Sequence, residues 1–229
     1  YVVSQEISYK GKGTYDDPYQ IYTAADLANA GGNHYYKLMN DIDLTQYIKT
    51  NSPTAGWIPI GKGGSVMAQF DGCGFTVSGL WINSSEDYVG LFSNASGATI
   101  KNLTVITASG KKVKGGNYTG GIIGRNYNGT IENCYFKGDV EGLNYTGGIT
   151  GADESSQNTL NRASGNVTGT VNVGGVAGST SGSVVTKAQF SGNVSSTGAS
   201  SCIGGIAGLS SSDVSVCTSS GLVTATGSG

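Results

Sequence analysis

Apolar residues in this chain fall in short runs, two or three residues apart, with none of the spacing of an amphipathic helix. Val77, Leu80 and Ile82 are followed by Ile100, Leu103 and Val105, then by Ile131, Cys134 and Phe136. Leu160 and Ala163 come next, then Val185, Ala188 and Phe190, with Val214 and Cys217 closing the series. A Gly-x-Val step follows four of these sets, at Gly138–Val140, Gly165–Val167, Gly192–Val194 and Gly221–Val223. A second motif, x-Gly-Gly-x-x-Gly, keeps step with the first. It reads TGGIIG from Thr119, TGGITG from Thr146, VGGVAG from Val173 and IGGIAG from Ile203, with a degenerate VGLFS from Val89. The five starting positions are separated by 30, 27, 27 and 30 residues. A period of this size marks a repeat architecture. The runs are too short and too glycine-broken for helices and fit strands of a few residues. One period is therefore predicted to be one coil, stacked on the next by parallel backbone hydrogen bonds at about 4.8 Å. A single coil cannot bury its own apolar face, and stacking makes one continuous core.

The predicted fold class is all-β, a right-handed parallel β-helix, the hand following the usual rule for parallel crossovers. Aligning the repeats places Leu103, Cys134, Ala163, Ala188 and Cys217 in one inward column. Cys134 and Cys217 then read as buried free thiols, small hydrophobes more than reactive groups. Paired glycines before each apolar run predict either positive φ or a tight backbone approach at a coil corner. Residues 1–69 lack the repeat and are assigned to an N-terminal cap with leading strands. Residues 70–229 are assigned to the coils, the whole forming one continuous domain. Thr23, with Asp26 three residues on, predicts a short helix from Ala24 to Asn29 ending at Gly31–Gly32. Tyr35–Thr45 alternates as a strand does. Such a helix would cover the first coil, which otherwise exposes open strand edges. The other end shows no comparable cap, so the native protein is expected to continue beyond Gly229.

Composition narrows the function classes. Gly accounts for 39 of 229 residues, but without a three-residue period and with only 3 Pro, which excludes collagen. The formal net charge of −2 gives no long-range attraction to nucleic acid or an anionic membrane. Lys111, Lys112 and Lys114 read as a solvated loop. None of the four cysteines forms a CxxC pair, so a zinc or redox motif is unsupported. A Cys202–Cys217 disulfide is an open alternative.

Candidate chemistry is sparse. Asp16–Asp17 precedes Pro18 and reads as a turn. Glu86–Asp87 and Asp153–Glu154 read as solvated charge in loops between strands. Arg125 and Arg162, the only arginines, occupy different positions in their coils. His34, the single histidine, has no visible partner for base or metal chemistry. Asp41 and Asp43 share a strand face, but no calcium-loop pattern follows. No catalytic residue, metal ligand or cofactor is therefore assigned. Tyr118 and Tyr145 share a column predicted to lie outward or at a turn. They form a candidate aromatic binding column, with a structural tyrosine ladder as the equal alternative.

The opening block GTYDDPYQIYTAADLANAG with YYKLMNDIDLT, the segment WIPIG at Trp57–Gly61, and the GGIIG, GGITG, GGVAG and GGIAG segments resemble GLUG-motif β-helix proteins. The resemblance covers almost the whole chain. It implies a module of a bacterial adhesin-like surface protein, extracellular and without catalytic residues of its own. Such a module would bind host or matrix glycan or protein, or act as a stalk, and is expected to be a monomer that does not insert into membranes. The same modules accompany peptidase domains in some secreted immunoglobulin-cleaving proteases, which makes a non-catalytic peptidase module the first alternative. A β-helix polysaccharide lyase or hydrolase is the second.

Overall fold

The computed structural model describes residues 9–62, 68–198 and 202–227; the chain's first and last residues, Tyr1 and Gly229, lie outside these. The protein is a parallel β-solenoid, and among the described residues its strands form four ladders of 11, 7, 6 and 4 strands. The coil beginning at Thr146 illustrates the cross-section. Thr146–Gly147 lies on a glycine face. Thr150–Glu154 and Gln157–Thr159 form a long face. Arg162–Ser164 and Val167–Gly169 follow on two shorter faces. The repeat register is as the glycine spacing predicts: Thr119, Thr146, Val173 and Ile203 are direct partners, and Val89 bridges to Thr119.

Inward columns carry the stability. One runs Ile42, Val77, Val105, Phe136, Ala163, Phe190 and Ser219. Another runs Ile82, Val113, Val140, Val167, Val194 and Val223. The Gly-x-Val steps supply this second column, so we call the two shorter faces the phenylalanine face and the valine face. Full burial of one such side chain is worth roughly 1.5–3 kcal/mol.

The column containing Cys134 differs from the sequence alignment. Its third member is Asn161, not Ala163. Tyr135 N donates to Leu103 O, Arg162 N to Cys134 O, Gln189 N to Asn161 O and Thr218 N to Ala188 O, which aligns Leu103, Cys134, Asn161, Ala188 and Cys217. Leu160, which apolar patterning places inward, is instead a left-handed corner residue with φ 59° and is 42% exposed. Cys134 is a buried free thiol whose burial pushes its pKa up to about 12. Cys217 is half-buried on the last coil described. The Cys202–Cys217 alternative is overturned: both are free. Cys202 lies on the glycine face, whereas the Cys217 thiol points to the Val185 and Ser215 carbonyls.

The glycine pairs serve close approach. A Cβ on Gly148 would lie 2.3 Å from the Gly175 carbonyl oxygen and 2.7 Å from the Ala163 Cβ. Positive φ is used elsewhere, at the turn from the phenylalanine face to the valine face, as at Gly165 (φ 122°).

At the N-terminal end, helix α1 (Ala24–Ala28) carries the predicted cap. Thr23 Oγ1 accepts from Asp26 N (3.1 Å) and Asp26 Oδ2 accepts from Thr23 N (2.9 Å). Leu27 is fully buried in the same apolar cluster as Ile21, Leu38 and Phe70. Tyr35–Thr45 is not one strand. It splits into Tyr35–Leu38 on the long face and Ile42–Asp43 on the phenylalanine face, and is followed by an unpredicted helix, α2 (Thr45–Asn51). The long face continues unbroken from the coils back through Gln69–Asp71 and Tyr35–Leu38 to Tyr19–Ile21.

Candidate functional site

Three successive coils turn from the valine face to the glycine face through Asp87-Tyr88-Val89, Asn117-Tyr118-Thr119 and Asn144-Tyr145-Thr146. The side chain at the first position caps the next coil: Asp87 Oδ1 accepts from Asn117 N (2.8 Å) and Asn117 Oδ1 from Asn144 N (3.4 Å). At the third position Thr119 and Thr146 are buried, their hydroxyls donating to Gly116 O (3.0 Å) and Leu143 O (3.3 Å). Between them each tyrosine is held left-handed, with φ of 59°, 57° and 58°. That conformation costs an L-residue about 1–2 kcal/mol, so the flanking contacts must impose it. The third glycine of each repeat makes room. A Cβ on Gly124 would lie 2.5 Å from the Tyr88 carbonyl carbon, and Gly151 stands in the same relation to Tyr118.

The rings stack. Tyr88 and Tyr118 have centroids 4.9 Å apart and planes at 9°; Tyr118 and Tyr145 are at 4.8 Å and 14°. Tyr118 and Tyr145 thus share a corner column, half-exposed, and Tyr88 extends it. Both faces of Tyr118 are covered by its neighbours, so that residue offers its ring edge and hydroxyl, not a bare ring face. Beside it, Arg125 Nε and a terminal guanidinium nitrogen donate to the two Glu154 oxygens (2.8 and 2.6 Å). Each partner is 31% exposed. Burial raises the Tyr118 pKa, and Tyr145, Tyr88 and Glu154 add to it while Arg125 opposes. The Glu154 hydrogen bonds hold Arg125 more firmly protonated than usual. The corner therefore combines hydroxyl donors and acceptors with a charge-compensated polar pair, and no activated nucleophile.

The other sequence candidates are structural. Asp17 O accepts the Lys12 and Thr14 amides in a turn. Glu86 pairs with Lys62. Asp41 Oδ1 accepts from Thr76 N and Asp43 Oδ1 from Thr45 N. His34 packs edge-on against Tyr19 at 5.2 Å. Arg162 lies on the phenylalanine face, away from Arg125 on the long face. Among the described residues, no group of three or more His, Cys, Asp or Glu is placed to hold a metal ion. No helix among them is long and apolar enough to cross a membrane.

Asp153–Glu154 is a correction. It is not a solvated loop but the end of a long-face strand, with Asp153 fully buried. Asn126 Nδ2 (3.1 Å) and Asn158 Nδ2 (2.7 Å) donate to the Asp153 carboxylate. Asn161 Nδ2 donates to Asn158 Oδ1 (2.7 Å), and Asn161 Oδ1 accepts from Cys134 N (2.8 Å). Burial without a cation raises the Asp153 pKa to about 6. The signal in the sequence was Asn158, which interrupts the column Ile100, Ile131, Val185 and Val214.

Comparison with known proteins agrees with this architecture. The family described as the GLUG motif matches residues 115–141. A protein of Evansella cellulosilytica, provisionally named a Gly-rich membrane protein, is 34% identical over 54% of this chain. Halomucin of Haloquadratum walsbyi is 35% identical over 58% of it. These matches span only 15% and 2% of the two relatives' own lengths. A Bacteroides ovatus protein, provisionally assigned as an immunoglobulin A1 protease, has a similar crystal structure. Its TM-score is 0.64 at 21% identity, covering 94% of this chain and 69% of that one, which is a likeness of fold. This chain is thus a parallel β-solenoid that carries a GLUG motif.

Proposed function

We propose that the chain is a non-catalytic module of a larger bacterial surface protein, outside the cell, that binds host or matrix glycan or protein as a monomer. The tyrosine corner is its adhesive face. The observation that carries this reading is the half-exposed stack of Tyr88, Tyr118 and Tyr145 at successive coil corners, beside the Arg125–Glu154 pair. Aromatic residues fixed at low conformational cost are effective binding anchors. The carboxylate pairs argue against a polysaccharide-cleaving site. Asp17 sits in a turn, Asp87 caps backbone and Asp153 is sealed in the core. Cleavage of a uronic-acid or glycosaminoglycan polymer by the chain would overturn that exclusion.

A glycan and matrix-protein array tests the adhesive reading. Binding to a defined ligand should weaken at least about 10-fold in Tyr118→Ala/Tyr145→Ala, which is roughly 1.4 kcal/mol. No binding by the parent chain would leave the stalk role in its place. A second reading, a non-catalytic module of a secreted peptidase, draws support from the fold shared with the Bacteroides ovatus protein. A zinc-peptidase motif elsewhere in the full gene product would favour it.

A further inference from the structure

We propose that a second site, at a different corner from the tyrosine ladder, binds an acidic glycan in the groove beneath the Ala108–Lys111 turn. The coils differ where the chain passes from the phenylalanine face to the valine face. One residue, Gly138, makes this passage between Tyr135–Lys137 and Asp139–Glu141. Gly165–Asn166 makes it one coil later. In the coil before, four residues intervene between Thr104–Thr107 and Lys112–Lys114. They form a turn closed by Lys111 N donating to Ala108 O (3.0 Å), with Gly110 at φ 68°. Extra residues in one repeat mark the face on which solenoids commonly bind.

The turn is fixed, not loose. Ala108 N donates to Leu80 O (2.9 Å), and the Lys111 ammonium lies 4.9 Å from the centre of the Trp81 ring. It overhangs Lys137, Gly138 and Asp139 of the next coil and leaves a cavity of about 340 Å³. That is at the lower end of the roughly 300–1,000 Å³ found for small-ligand sites.

Lys111, Lys112 and Lys137 line the groove with one acidic residue, Asp139. Asp139 Oδ1 accepts from Asn166 N (2.7 Å) on the following coil. Lys112 shares Glu141 with Lys114. Among the described residues, Lys111 and Lys137 form no ion pair. The corner is therefore positive in a chain whose net charge is −2. Hydroxyls of Thr107 and Ser109 add hydrogen-bonding groups suited to a sugar ring. No aromatic residue lines the groove for a base to stack on, so a uronate or sulfated sugar is a better fit than a nucleic acid.

Titration calorimetry with the whole chain tests the site. Polygalacturonate supplies carboxylates, heparin supplies sulfates and dextran is the neutral reference. At least one acidic polymer should bind at least about 10-fold more tightly than dextran, and more weakly as salt rises. Which polymer binds identifies the anion. Lys111→Gln/Lys137→Gln, a surface change that leaves the core intact, should weaken that binding about 10-fold or more. Lys187→Gln, at another corner, should leave it unchanged. Equal binding of dextran, no binding, indifference to the Lys111/Lys137 change, or tighter binding of a single-stranded oligonucleotide would each overturn the proposal. Tyr118→Ala/Tyr145→Ala should not alter this titration, which keeps the two sites' outcomes separate.

Discussion

A Cβ at Gly148 would meet the Gly175 carbonyl on one side and Ala163 on the other, both at distances real side chains do not adopt. Gly121 and Gly175 face the Phe136 and Phe190 rings in the same way. Gly148→Val is therefore expected to cost about 3 kcal/mol or more, because coil spacing is fixed by hydrogen bonds and cannot widen at one point. An unchanged urea midpoint would refute this. The corner between the long and phenylalanine faces is the converse case. Asn102 and Asn133 accept left-handed φ there and link side chains, Asn133 Nδ2 donating to Asn102 Oδ1 (2.9 Å). Leu160 occupies the next position with the same backbone and an exposed side chain. Leu160→Asn should raise stability by about 1 kcal/mol, readable as a higher thermal midpoint. The glycine spacing was legible in the sequence, and so was tight approach as one of two causes; choosing between them needs the partners 27 residues away. Leu160 misled because its hydrophobicity outweighed the corner geometry that only the fold displays.

The coil from Thr146 is the element that departs most from its neighbours. It places Asn158 and Asn161 where adjacent coils carry apolar residues, and sets Asp153 between the buried Asn126 and Thr180. Among the described residues no buried side-chain nitrogen or oxygen lacks a partner, so the network is satisfied. It still holds a carboxyl with only amide donors about it. With its folded pKa raised to about 6, Asp153 binds a proton more tightly folded than unfolded. Its contribution is fully present below about pH 4 and is lost as pH rises through 6, a swing of roughly 2–3 kcal/mol. Asp43, Asp71 and Glu141 have lowered pKa values and act in the opposite sense. The difference between the parent and Asp153→Asn isolates the effect. The parent should gain stability relative to the variant between neutral pH and pH 4, measured by denaturant unfolding. A gap that does not change with pH would reject it. At this scale α1 was legible through its capping box, whereas α2 was not. Its N-cap residue, Leu44, has no capping side chain, and the helix is held by burial of Ile48, a tertiary contact.

At the scale of the molecule, the solenoid was legible because one coil is written several times over, and chance rarely repeats a spacing. The candidate sites were less so. Tyr118 and Tyr145 stood out because they obey the period, and Tyr88 escaped because its repeat is degenerate. The lysine groove depends on a break in the period, which a search for regularity passes over. Register carries one more consequence. Thr119 and Thr146 occupy the same point of the cross-section, as do Thr146 and Val173. Removing Thr119–Tyr145 as a block would join Tyr118 to Thr146 and return every corner to an equivalent neighbour. The rod would shorten by one strand spacing, about 4.8 Å. Reach is thus a digital property of the gene, counted in copies of a segment. Unequal recombination can change it in whole steps while leaving the profile of the rod untouched.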